Sequence, residues 1–456
     1  MARIRSIFAC TACGYQNPRW LGRCPDCGEW NTLVEEVPAV RGASSAGAGG
    51  GPVPVPLTLD AVSPTAEERV STGESELDRV LGGGLVPGSV VLVGGEPGIG
   101  KSTLLLQVLL SLQRRGIATL LVSGEESPGQ VKMRARRLEG PIDGLRLISE
   151  TRCGPVVACL EEHDPAVCVV DSVQTLWSED ISSAPGSVSQ IREVTGQLLR
   201  VAKGRGITLL LVGHVTKSGD LAGPRVLEHM VDAVLSFEGD RSRPYRLLRG
   251  VKNRFGSTNE VGVFQMTGQG LVGVSDPSAL FLEEGSESPG AAVLAAVEGT
   301  RCLLAEVQAL VVPSGLTMPR RVTRGVDGNR LAMVAAVLTR RAGLRLGESD
   351  IFVNVAGGLS VEDPAADLPL ALAVASAQRD RPLGRVAAFG ELSLTGQARY
   401  VAHGDARVQE LARHGFERVL APRRNVEELR ERRAVPEGVT MEPISNIQDV
   451  VRELIG

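Results

Sequence analysis

The sequence predicts an α/β protein in three parts, with an open parallel sheet at its centre. Three observations predict it. Residues 89–103, "SVVLVGGEPGIGKST", pass from an apolar run through a glycine-rich loop into a segment of helical pattern. Three later apolar runs, in "ATLLVSGEES", "AVCVVDSVQTL" and "GITLLLVGHVTKSG", each end in polar residues and alternate with helical stretches, as in a parallel sheet. Two CxxC pairs precede this pattern, and from about residue 286 a different pattern follows it.

A chain of 456 residues exceeds one compact core, and 43% hydrophobic residues is ordinary for globular domains. The expected bounds are 1–36 for the cysteine module, 37–60 for a linker, 61–278 for the sheet domain and 286–456 for the last domain. A net charge of −4 excludes nucleic-acid binding through overall basicity, so such a role needs a local groove or channel. No apolar run reaches the roughly 20 residues of a membrane helix. The start, "MARIRSIFACTACGY", has no apolar signal region, so the expected location is the cytoplasm, with no membrane attachment. Thiols stay reduced there. Cys153, Cys159, Cys168 and Cys302 lie in apolar surroundings and suit small buried hydrophobes.

The other four cysteines form the amino-terminal module. Cys10, Cys13, Cys24 and Cys27 read as CxxC, ten residues, then CxxC. Each pair presents two thiolates to one point, and four soft thiolates in a tetrahedron select Zn2+. Gly14 and Gly28 follow the pairs, where a knuckle turn needs a backbone tolerant of positive φ. The spacer is shorter than in most zinc ribbons, so the expected form is a small rubredoxin-like knuckle pair that folds on its metal. An iron–sulfur site and a redox dithiol are the alternatives. The following "AVRGASSAGAGGGPVPVPLTLD" is expected to be a flexible linker that stiffens toward its prolines.

The central loop, Gly95, Glu96, Pro97, Gly98, Ile99, Gly100, Lys101, Ser102 and Thr103, follows the pattern GxxxxGKS between strand and helix. Glycines let successive backbone N–H groups turn inward around phosphates, Lys101 reaches the β and γ oxygens, and the Ser102 hydroxyl ligates Mg2+. ATP or GTP is the expected ligand. Chemistry in such sheets gathers at the carboxyl ends of strands. Asp171 ends one strand and suits a magnesium–water ligand. Glu125 is the candidate base that orients the attacking water, with its neighbour Glu126 as the alternative. His214, with Thr216, suits a sensor of the γ-phosphate. Further on, "LLRGVKNRFGSTNEVGVF", residues 247–264, suggests two strands around a turn. Lys252 and Arg254 stand two apart there and so share a strand face. A solvated hairpin tip is the plain explanation.

These segments resemble known proteins. "STGESELDRVLGGGLVPGSVVLVGGEPGIGKSTLLLQ" is similar to the RecA-type ATPases, and "LVSGEES", "VVDSVQT" and "KNRFG" together resemble the bacterial RadA (Sms) family of DNA repair proteins, nearly to the carboxyl terminus. The resemblance implies a RecA-like P-loop core that hydrolyses ATP in a homo-oligomeric, hexameric ring. It also implies a DNA-stimulated, helicase-like motor on single-stranded DNA that branch-migrates recombination intermediates beside a RecA-type recombinase. In such rings the site lies between subunits, so Lys252 and Arg254 would reach the neighbour's γ-phosphate as fingers. Contact with DNA phosphates is the other role open to them.

In the last third, "GELSLTGQARYVAHGDARVQELARHGF" resembles the proteolytic domain of Lon proteases, an α+β fold with a serine–lysine dyad. By that resemblance the serine falls on Leu370 and the lysine near Arg407. Leucine has no nucleophile and arginine does not deprotonate, so the domain is expected to be proteolytically inactive and to hold the ring together. Arg320, Arg321, Arg324 and Arg330 would contact phosphates or form a solvated helix face. Two other function classes are an ATP-dependent protease, which Leu370 opposes, and a nucleotide-switched scaffold or signalling ATPase of the circadian-clock type. "KNRFG" and the cysteine module favour the DNA motor over the latter.

Overall fold

The computed structural model describes residues 7–10, 15–25, 28–36, 58, 69–138, 142–213, 226–239, 245–282 and 288–455. The expected linker therefore lies outside the described residues except at position 58. The amino-terminal module is a small antiparallel sheet in the order β2-β1-β3, made of β1 (Ile7–Cys10), β2 (Gln16–Asn17) and β3 (Leu33–Glu36).

The central domain runs α1 (Ser75–Leu81), β4 (Val90–Gly95), α2 (Lys101–Arg114), β5 (Thr119–Ser123), α3 (Pro128–Arg137), β6 (Arg146–Ser149), α4 (Cys153–His163), β7 (Val167–Asp171), α5 (Val188–Arg205) and β8 (Thr208–Val212). It ends with α6 (Val226–Met230), β9 (Ala233–Glu238), β10 (Tyr245–Asn253), β11 (Val261–Thr267) and β12 (Gly270–Gly273). One sheet joins these strands in the order β12-β11-β10-β9-β4-β8-β7-β5-β6. From β9 to β6 neighbours are parallel, whereas β10, β11 and β12 extend the β9 edge as an antiparallel meander.

Side-chain alternation builds a core on each face. Val91 and Val93 of β4 pack with Leu105 and Leu109 of α2, while Val90 and Leu92 pack with Ile191, Val194 and Leu198 of α5. A sheet covered on both sides needs strands that are apolar throughout, and β4, β5 and β8 are buried along their whole length. The sequence revealed four of the six parallel strands. β6 is a four-residue edge strand, partly exposed, and lacks an apolar run. β9 follows only the five-residue α6 rather than a long crossover helix.

The chain divides after Gly273. The second unit contains α7 (Pro277–Phe281), β13 (Ala291–Glu298), β14 (Arg301–Pro313), β15 (Arg321–Arg324), α8 (Gly328–Arg341), β16 (Ser349–Val355), α9 (Asp367–Arg379) and β17 (Val386–Ala388). It continues with β18 (Glu391–Leu392), β19 (Ala398–Arg399), α10 (Gly404–Arg413), β20 (Arg418–Pro422), α11 (Arg423–Glu431), β21 (Thr440–Ile444) and α12 (Ile447–Ile455). A mixed sheet in the order β15-β16-β14-β13-β17-β20-β21 gives the expected α+β character. The expected bound at residue 278 shifts to 273. Ser278 accepts a hydrogen bond from Leu304 N (3.1 Å) and donates to Glu410 Oε1 (2.7 Å), which fixes α7 in this second unit.

Leu370 and Arg407, where the resemblance places the dyad, are core positions. Leu370 is wholly buried in α9. Arg407, 2% exposed, pairs with Asp363 Oδ2 at 2.7 Å, donates to the carbonyls of Ala295 and Ala402, and lies over the Phe389 ring. The arginine cluster also divides. Arg321 and Arg324 lie on a strand, and only Arg330 is helical. Arg321 donates to Ser349 O and Leu346 O, and Arg330 donates to Glu362 O and Asp363 O and pairs with Asp367 at 3.2 Å. Arg320 and Arg324 alone of the four are exposed.

The scattered cysteines do act as apolar residues. Cys153, Cys168 and Cys302 are buried, and Cys159 packs partly buried against the Cys153 cluster. Burial pushes the thiols of Cys153 and Cys302 up to about 11 and about 12, and that of Cys168 up as well, so they stay protonated and inert.

Candidate functional site

β4 delivers the glycine-rich loop into a tight seat. Gly95 has φ 155°, and a Cβ there would lie 2.6 Å from Phe237 O. Gly100 has φ 120°, and its Cβ would meet Met266 Cε at 2.9 Å and Leu271 Cδ1 at 3.0 Å. The loop is therefore pressed against β9, β11 and β12, and a side chain at either position would push it off. Gly100 is the N-cap of α2 and offers no side chain to its first N–H groups, which leaves them for an anion. Lys101, 3% exposed, donates to Gly95 O (2.6 Å) and Glu96 O (2.9 Å), so its ammonium rests across the loop it would serve.

The carboxyl ends of β5 and β7 meet beside each other, with Ser123 opposite Asp171. Ser172 Oγ donates to Glu125 Oε1 at 2.6 Å, and this brings Glu125 to the Asp171 strand end. Glu126 points elsewhere, to Arg134 of α3. The two glutamates are thus separated by partner. His214 and Thr216 lie outside the described residues, just past Gly213, whose N–H donates to Val93 O of β4 (2.9 Å). Arg246 went unnoticed in the sequence. Its side chain, 4% exposed, donates from Nε to Ile99 O (3.2 Å) and braces the loop. An arginine inside the apolar strand "YRLLRG" was the available signal.

Lys252 lies near the end of β10, and Arg254 opens the 254–260 connection to β11. Pairing of β10 with β11 stops at Arg249 opposite Val261. On its other edge β10 pairs with β9 from Leu247 onward, and after a register shift between Gly250 and Lys252, Lys252 and Asn253 lie opposite Val234 and Ala233. Lys252 Nζ donates to Glu228 O (2.6 Å) and Val231 O (2.8 Å), at the end of α6. Its desolvation, reinforced by the nearby Arg254 guanidinium, lowers its pKa. Arg254 is 56% exposed; its N–H donates to Asp232 O (3.0 Å), and Nη1 lies 3.4 Å from Asp232 Oδ1. Both cations therefore turn toward residues 228–232. Asp232 N in turn donates to Val90 O (2.9 Å), at the start of β4. Five strand steps to Gly95 cover about 16 Å, so in one chain this end of the sheet is the one opposite the phosphate loop. The chain has five lysines against 44 arginines. A compact ammonium that serves several carbonyls is a seat a planar guanidinium does not fill, and that scarcity was a legible signal at both Lys101 and Lys252.

In the cysteine module the two halves close alike. Cys10 N donates to Tyr15 O and Cys24 N to Glu29 O, both at 2.8 Å and both five residues ahead. Cys10 and Cys24 are each 1% exposed, while Cys13 and Cys27 lie outside the described residues. Gly28, at φ 77°, takes the turn after the second pair. Paired knuckles with buried thiols fit a thiolate-held Zn2+. Cys24→Ser should lose the metal from a protein that otherwise carries one zinc per chain, as read by elemental analysis. Iron–sulfur absorbance, or no metal in the parent protein, would refute the assignment.

A phosphate loop on an open parallel sheet, with carboxylates at the adjoining strand ends and a zinc ribbon ahead, defines an ATP-hydrolysing enzyme of the AAA type. Residues 57–220 match the family model described as AAA domain, residues 8–35 that of a rubredoxin metal binding domain, and residues 329–425 that of subunit ChlI of Mg-chelatase. The chain is 52% identical over 425 residues to the DNA repair protein RadA of Pseudomonas aeruginosa, covering 92% of this chain and 94% of that one. It is 46% identical to RadA of Bacillus subtilis over 100% of both chains, and 46% identical to RadA of Escherichia coli over 98% of both. The chain belongs to the RadA family of DNA repair proteins. These matches imply bound Zn2+, nucleotide and Mg2+.

Proposed function

We propose that this chain is a DNA-stimulated, helicase-like ATPase that moves on single-stranded DNA and branch-migrates recombination intermediates in the cytoplasm. It acts beside a RecA-type recombinase and as a closed ring of six. The observation that carries this is the placement of Lys252 and Arg254 at the sheet end opposite their own phosphate loop. Cations so placed serve the site of a neighbouring subunit, and a ring supplies one neighbour for every loop.

Within each site Lys101 neutralises the β and γ oxygens, and Glu125 orients the attacking water. Ser102 and Asp171 hold Mg2+, and His214 reports the γ-phosphate. The separate engagement of Glu126 with Arg134 supports Glu125 as the base. The second unit acts as scaffold without peptidase chemistry, because burial closes off Leu370 and Arg407. ATP-dependent cleavage of an unfolded protein would overturn that part. The main test is the ATP hydrolysis rate with and without single-stranded DNA, paired with sedimentation. Stimulation in a ring-sized species is the expected result; a rate indifferent to DNA in a monomer would end the proposal.

A further inference from the structure

We infer that Asp232 is a positioning residue for Arg254, and that it ties this arginine to the strand that carries its own subunit's phosphate loop. The inference rests on the trans role of Arg254 proposed above. Asp232 is 3% exposed, and a buried carboxylate persists only with partners that match it. Its Oδ2 accepts from Val90 N (3.0 Å) and from Lys203 Nζ (2.5 Å). This leaves Oδ1 facing Arg254 Nη1 at 3.4 Å. The main chain repeats the arrangement, since Asp232 N donates to Val90 O and Asp232 O accepts from Arg254 N. One residue is thus bonded on one side to the first position of β4 and on the other to Arg254, each time by both backbone and side chain.

The distances define the role. Contacts of 2.5 and 3.0 Å hold the carboxylate still. A contact of 3.4 Å lies beyond the range of a strong charge-assisted hydrogen bond, so it aims the guanidinium without retaining it. A phosphate that develops charge competes well for a cation held so lightly and more than half exposed. Lys203, from the last turns of α5, keeps the second oxygen occupied and so keeps the first one turned toward Arg254.

The test combines epistasis with mixed assemblies. Asp232→Asn should lower ATP hydrolysis about 100-fold, the cost of a catalytic group displaced by roughly 1 Å, with ATP affinity retained. In an Arg254→Ala background the same change should cost nothing further, because it acts through a side chain already removed. Losses that multiply would show that Asp232 serves its own loop or the fold, and would overturn the inference. Asp232→Asn subunits keep an intact loop, and Lys101→Ala subunits keep an intact arginine, so rings mixed from them should regain activity. Arg254→Ala mixed with Lys101→Ala is the control. If the control regains activity and the Asp232→Asn mixture does not, the trans arrangement stands and the role of Asp232 fails; if neither does, both fail. Should Asp232→Asn not fold, Lys203→Ala loosens the same carboxylate from its half-exposed side. It should give a smaller loss that vanishes in the Arg254→Ala background, and a loss that persists there would overturn the inference.

Discussion

Lys101→Ala should abolish measurable ATP hydrolysis while fold, zinc and assembly persist. Lys101 is the first residue of α2, where a positive charge opposes the helix dipole, and alanine is the better helix former. Its ammonium donates to carbonyls of its own loop, Gly95 O and Glu96 O. Local stability thus argues against lysine at this position, and its presence is explained by the charge it brings to phosphate oxygens. Removing one preorganised donor from developing negative charge costs about 10²–10³ in rate, and a full positive charge should cost at least that. Steady-state hydrolysis and a thermal melt measure the two halves of this expectation. A near-normal rate would refute the assignment of the loop, and a collapsed melt would refute the claim that the lysine is dispensable to the fold.

What could be read from the sequence was local. The phosphate loop is legible because successive backbone N–H groups must converge on one anion, which confines its chemistry to nine adjacent residues. The knuckles are legible for the same reason. Arg246 was not, because its partner Ile99 lies 147 positions away, and an arginine inside an apolar strand signals burial without naming what it braces. Asp232 escaped for a like reason, since its carboxylate answers Val90, 142 positions away. Lys252 and Arg254 were recognised, and so was the turn between two strands, but not the partners that hold the two cations. The bulge between Gly250 and Lys252 shifts the register of β10 against β9 and so sets which residues the end of β10 faces, and a bulge has no period to detect. In the second unit, resemblance of segments identified the fold but not the depth of residues. Leu370 and Arg407 sit where packing rather than catalysis selects the side chain. Arg407 pairs with Asp363, and the loss of either would strand the other as a buried, unpaired charge.

Arg254→Ala should separate rate from stability more clearly than any other change here. The side chain is 56% exposed, and its contact with Asp232 is long, so its removal leaves no cavity and costs about 1 kcal/mol or less. A finger that acts on a γ-phosphate is worth about 10³–10⁵ in rate. The variant should therefore melt like the parent, bind ATP through its intact loop, and hydrolyse it at least a thousandfold more slowly by that measure. Lys252→Ala is the less discriminating partner. It strips the donor from Glu228 O and Val231 O, so about 1 kcal/mol of stability goes with any loss of rate. Mixing locates the arginine's site of action. An Arg254→Ala subunit still offers its loop, and a Lys101→Ala subunit still offers its arginine, so rings that contain both have some interfaces with every group in place. Activity should return as the two inactive proteins are combined, and it should peak at intermediate ratios. If they co-assemble, as shown by a labelled pull-down, and remain inactive at every ratio, Arg254 does not act in trans. The cation pair would then be better assigned to DNA phosphates, and hydrolysis by the Arg254→Ala protein should be slow only when DNA is present.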